Sequence, residues 1–116
     1  MENPLTSREL SLLESSLLPA LERHHLRLLA HGLRTLQAVA GRRSGQPPDH
    51  AQIEAWVLAQ AVIADDPAFA KAWARQLHGS GAQLSSIAAG CGCDPLALEL
   101  QDLIRWAQAE ADARLT

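Results

Sequence analysis

The stretch Leu18–Gly41, LPALERHHLRLLAHGLRTLQAVAG, constrains the fold more than any other part of this chain. At helical spacing it divides into two faces. Arg23, His24, Arg27, His31 and Arg34 share one arc. Leu18, Leu21, His25, Leu28, Leu29, Leu33, Leu36, Val39 and Ala40 take the opposite side, and Leu26 widens it. An apolar stripe of that width has to be covered by other helices. Pro19 suits a first turn, where a missing N–H costs nothing. Gly41 suits the position just past the end, with Arg42 and Arg43 following the negative end of the dipole. Gly32 costs about 1 kcal/mol against Ala inside a helix, and its place on the apolar side predicts a close helix–helix approach.

Composition says what those covering elements are. Leu (20) and Ala (21) make up over a third of 116 residues, whereas Val, Ile and Thr together number ten and Tyr is absent. Such usage favours helices over a sheet. The chain therefore reads as one all-α domain over residues 1–116, a compact bundle of five to six helices with a helix-turn-helix-like unit at its C-terminal end. A linker, GRRSGQPPD at 41–49, separates an N-terminal helical hairpin from the C-terminal helices.

Thr6-x-x-Glu9 is a capping box, with Leu5 and Leu10 as its hydrophobic staple. It starts a short helix over about 7–15 with Leu10, Leu13 and Leu17 inward, broken at Ser15-Ser16 or kinked at Pro19. Asp49-x-x-Gln52 caps a helix whose inward stripe is Ile53, Trp56, Val57, Gln60 and Ile63. Asp66-Pro67 opens another, carrying Phe69, Trp73, Gln76 and Leu77, and Gly79 and Gly81 are expected to end it. A further helix covers 82–90. After the turn GCGC, Asp94-Pro95 starts the last helix, with Leu96, Leu100, Leu103, Ile104, Ala107 and Ala111 on one face. Trp56, Trp73 and Trp106 fall on or beside inward stripes and are expected in the core.

Residues 83–100, QLSSIAAGCGCDPLALEL, resemble the generic helix-turn-helix, with Ile87-Ala88, Gly92, Cys93, Asp94-Pro95 and Leu98 at its marker positions. In DNA-binding versions the second helix offers basic or amide groups to the major groove. Here it offers Glu99, Asp102, Glu110 and Asp112 against Arg105 and Arg114, and acids aimed at phosphates are repelled. The motif reads as a packing unit.

The formal net charge of −3 hides a split: residues 1–48 carry +2 and residues 49–116 carry −5. A nucleic-acid-binding domain is usually basic overall. The basic arc of the long helix has no acid near it in sequence, since Glu22 points the other way. It reads as a binding face for an anion.

No catalytic motif is present. Cys91 and Cys93 form C-x-C, short of a zinc site's spacing and ligand number. Cys93 is expected to fill a small apolar slot and Cys91 to be a free thiol. Glu22-x-x-His25 is one pair where a di-iron bundle needs two, so no metal or cofactor is assigned. The N-terminus lacks a basic n-region and an apolar h-region, and no apolar run approaches the roughly 20 residues of a membrane span. The expected compartment is the cytoplasm, with no membrane partner.

The function that follows is a non-catalytic interaction module: a small adaptor, assembly factor or regulator. It would bind an acidic protein surface through Arg23, His24, Arg27, His31, Arg34, Arg42 and Arg43. The Ala-rich segment 68–74 and the leucine excess also fit a homodimer. The alternative is a helix-turn-helix-like, nucleic-acid-binding transcriptional regulator.

Overall fold

The computed structural model describes residues 4–14, 18, 20–60 and 66–115. Pro19, Leu17, Ile63 and the Ser15-Ser16 break, to which the sequence assigns roles, lie outside them. The described residues form α1 (Ser7–Glu14), α2 (Ala20–Ala40), α3 (His50–Leu58), α4 (Pro67–Cys91) and α5 (Leu100–Leu115), with a 3-10 turn at Pro95–Ala97. The protein is an all-helical bundle. Its centre is α2, which packs against every other element.

Local chemistry starts these helices as the sequence predicts. At α1, the Thr6 N–H donates to Glu9 Oε1 and the Glu9 N–H to Thr6 Oγ1, both at 3.0 Å. Asp49 and Gln52 make the same reciprocal pair at α3, at 2.8 and 3.0 Å. Asp66 accepts from the Phe69 N–H at 3.1 Å, with Pro67 beginning α4. Each satisfies donors that a helix start leaves free. Gly41, at φ 71°, ends α2, and its N–H donates to the Gln37 carbonyl oxygen at 2.8 Å.

The largest departure from expectation is α4. Gly79 and Gly81 do not end it; it runs unbroken for 25 residues. Two interior glycines cost helix propensity, but tertiary contact supplies the offset. Gly81 is buried, and a Cβ there would stand 3.3 Å from Pro47 Cβ and 3.6 Å from Leu36 Cδ1. The loop over 41–49 therefore lies close across the α4 backbone. Gly32 of α2 faces α4 in the way its apolar position predicts: a Cβ there would meet Ser80 Oγ at 3.0 Å.

The last helix also starts later than expected. Asp94 makes no side-chain cap; its carboxylate accepts from the Gly45 N–H at 3.0 Å instead. The Leu96 N–H donates to the Gly45 carbonyl oxygen at 3.2 Å. These bonds pin the 3-10 turn to the long loop, and Leu96 and Leu98 are buried in the stretch between α4 and α5. The helix-turn-helix-like unit is thus the second half of α4, this turn and α5. Gly92 supplies its left-handed corner at φ 71°, and Ile87 and Ala88 are buried beside it. Cys93 does not fill a slot; both thiols are free and exposed.

The core follows the predicted stripes with a rotation. Leu26, Leu29, Leu33 and Leu36 of α2 pack with Ile53, Val57, Trp73, Leu77, Leu84, Leu103 and Ile104. Trp73 is buried and meets half-buried Trp56 edge to face, with ring centroids 5.6 Å apart. Trp106 is half-buried, and Phe69 and Gln76 face solvent. On α2, Leu21 is 66% exposed, Leu28 45%, and His25 is also exposed. The cause is α1. It packs on the side carrying Arg27 and Arg34, and the 3-10 turn reaches Gln37. The covered seam moves toward Leu26 and Ala30, away from Leu21 and Leu28.

Candidate protein-interaction site

Two of the arc's arginines have partners that sequence proximity did not reveal. Arg27 pairs with Glu14, and Arg34 pairs with Glu9, both acids coming from α1. The Arg34 Nε and Nη2 donate to Glu9 Oε2 at 3.2 and 2.8 Å. Arg34 Nη1 donates to Gln37 Oε1 at 3.0 Å, and Gln37 Nε2 donates to the Leu96 carbonyl oxygen at 2.8 Å. This chain of bonds runs from α1 through α2 to the 3-10 turn, and Gln37 is buried within it. Arg27 keeps one buried nitrogen, Nε, without a partner among the described residues.

The remaining predicted site residues are not all in one place. Arg23 and His24 sit near the start of α2, with His24 exposed and Arg23 half-exposed. Arg23 has no ion pair among the described residues. It stands about 16 Å along the axis from Arg34. His31 is half-buried, and desolvation pushes its pKa below the ordinary 6.5, so it is neutral near pH 7 and adds no charge to the face. Arg42 turns back on its own loop and donates to the Ser44 and Gln46 carbonyl oxygens. Arg43 is exposed, with no ion pair among the described residues.

Arg34, Arg42 and Arg43 do come together, around a pair of adjoining clefts. One, of about 470 Å³, lies between α1 and the start of α5; Arg8, Arg34 and Arg43 line it above Leu96, Leu98 and Leu100. The other, of about 430 Å³, shares Arg34, Gln37 and Arg43 and adds Pro4, Gly41 and Arg42. Volumes of that size fall in the range of binding clefts. Arg8 was not among the residues the sequence pointed to. Its one signal was position: a basic residue in the first turn of α1 opposes the helix dipole.

Glu9 makes the α1–α2 contact sensitive to acid. Desolvation raises its pKa, but the Thr6 N–H, the Arg34 guanidinium and the Thr6 hydroxyl together outweigh that and hold it below the ordinary 4.5. A carboxyl depressed in the folded state stabilises above its unfolded value and loses that contribution as pH falls through the folded one. Glu9→Gln is therefore expected to cost about 1 kcal/mol at neutral pH. Melting curves of both proteins from about pH 7 to about pH 3 should converge on the acid side; a gap independent of pH would show that the carboxylate is not the source.

Opposite charge is handled similarly at the far end of α2, where Arg114 Nη2 of α5 donates to Glu22 Oε1 at 2.7 Å. Among the described residues no group of three His, Cys, Asp or Glu is placed to hold a metal ion, and no helix is long and apolar enough to cross a membrane.

No curated protein and no solved structure matches the chain. A family model does, over residues 5–114: that of the NDH complex assembly factor CRR9. The match takes in α1 to α4, α5 up to Arg114, the long loop and the whole lining of the first cleft, so this chain belongs to the CRR9 family of NDH complex assembly factors.

Proposed function

We propose that this chain is a non-catalytic assembly factor that holds an acidic surface of an NDH complex component through its basic residues. The observation that carries the reading is the family match over nearly the whole chain. Small all-helical architecture and the absence of a catalytic motif are consistent with it. The contact residues in this reading are Arg23, His24, Arg27, His31, Arg34, Arg42 and Arg43. Arg23 and Arg43 are the two arginines of that set without an internal partner among the described residues, so they are expected to contribute most.

The test is complementation. Cells lacking this chain should accumulate less assembled NDH complex on native gels, and the wild-type chain should restore it. Arg23→Ala with Arg43→Ala should restore less, while still folding, because neither side chain has an ion-pair partner among the described residues. Full restoration by the double variant would remove the basic residues from the proposal. No change in complex level on loss of the chain would remove the assembly role itself. Duplex DNA serves as the control: salt-steep binding lost in the same variant would favour the nucleic-acid regulator instead.

Self-association belongs to the same reading. In the Ala-rich segment Ala70 and Ala74 are buried within the bundle, and Ala68 and Ala72 are the exposed ones available to a second copy. A dimer should scatter light at twice the 12.5 kDa chain mass; a monomer at every concentration would end this part of the proposal.

A further inference from the structure

We propose that the cleft between α1 and the start of α5 is the docking site for a short acidic-and-apolar segment of the assembly partner. A carboxylate would lie between Arg8 and Arg43, and an apolar side chain would rest on Leu12 and Ala97. This rests on the assembly-factor reading and gives the partner's contact a chemistry.

The cleft carries positive charge that its own acids leave unpaired. Among the described residues, four arginines line the two adjoining clefts, and two acids, Glu9 and Glu99, line the first. Glu9 is already consumed by Arg34 and the Thr6 N–H, and Arg42 by its own loop carbonyls. That leaves Arg8 and Arg43, both exposed and without ion pairs among the described residues, against the single exposed carboxylate of Glu99. Asp102, one turn into α5, is occupied by the Glu99 N–H at 2.9 Å and by Arg105 at 2.7 Å. The cleft also borders the first turn of α5, the positive end of a 16-residue helix.

The floor decides between classes of anion. Leu12, 42% exposed, and the exposed Ala97 are the apolar surface it offers, with Leu96, Leu98 and Leu100 buried behind them. A phosphate chain gains nothing from such a surface. A carboxylate next to a leucine-type side chain uses both parts of it: charge pairing gives register, and the apolar contact gives affinity.

The test uses the full chain and fluorescent peptides of about eight residues built from Glu and Leu, with Lys-for-Glu and Ser-for-Leu versions. The Glu/Leu peptide should bind and the other two should be at least about tenfold weaker. Arg8→Ala with Arg43→Ala should weaken the Glu/Leu peptide about tenfold, Arg8→Glu with Arg43→Glu should turn preference toward the Lys/Leu peptide, and Arg75→Ala, exposed on α4 and outside both cleft linings, should change nothing. Matching thermal melts check that the variants fold. Equal binding of the Lys/Leu peptide to wild type, indifference to Arg8 and Arg43, or no binding at all would overturn the proposal, as would a dimer in light scattering that Arg8→Ala with Arg43→Ala returns to a monomer. Failure here is separable from failure of the assembly role. If loss of the chain lowers NDH complex but the Arg8/Arg43 variant restores it fully, the cleft is wrong and the role stands. If loss of the chain has no effect on the complex, the role is wrong and the peptide data still decide the cleft.

Discussion

Leu33→Ala is expected to lower stability by about 3 kcal/mol, while Leu28→Ala, five residues earlier on the same helix, stays within about 0.5 kcal/mol. Leu33 is completely buried, on the helix that touches every other element of the bundle. Truncation removes the transfer energy of the lost carbons and leaves a space that α3, α4 and α5 cannot close together, because each is also held elsewhere. In a domain of this size that corresponds to a fall in Tm on the order of 10–20 °C. Leu28 is 45% exposed, so its truncation removes little buried area. Thermal denaturation of the two variants side by side measures the difference. Equal losses would mean that the side of α2 left in solvent here is in fact covered.

Gln37→Leu should cost about 2 kcal/mol although it keeps the side chain's bulk. The substitution strands the Leu96 carbonyl oxygen, whose 2.8 Å partner is the Gln37 amide, inside the bundle. It also removes the acceptor of Arg34 Nη1. A buried polar group left without a partner costs its desolvation, which the added apolar surface offsets in part. Because the 3-10 turn is also tied to Gly45, the loosening should reach the long loop, and amide exchange at Gly45 and Leu96 should accelerate more than at the centre of α3. Denaturant unfolding with a double-mutant cycle against Arg34→Ala gives the coupling within the network. A variant as stable as wild type, with unchanged exchange, would show that Gln37 contributes only its volume.

The basic face was legible in the sequence as a row of side chains, but its state was not. Periodicity places Arg27 and Arg34 together on one arc. It cannot show that α1, a separate element many residues away, brings Glu14 and Glu9 onto them. The same limitation hid Arg8. That residue belongs to a helix with no positive arc of its own, and it gains meaning only where α1, the loop after α2 and the start of α5 enclose one cleft.

What the sequence determined by itself is local. It specified helices rather than strands, the capping boxes at Thr6 and Asp49, the Asp66-Pro67 start, the left-handed end at Gly41, and the close approach at Gly32. These rest on interactions spanning a few residues, or on a face that any packing must cover, and so they do not depend on which element lies opposite. Only the tertiary structure decided that Gly79 and Gly81 are helical and that Leu96 and Leu98 are buried ahead of α5 and outside it. It alone decided that Leu21 and Leu28 remain in solvent, and which arginines are left unpaired. Each of those outcomes depends on a partner distant in sequence, such as Pro47 against Gly81, Gly45 against Leu96 or Glu9 against Arg34. Where local preference and long-range packing compete, the packing supplies more free energy than a single residue's propensity, and the packing prevails.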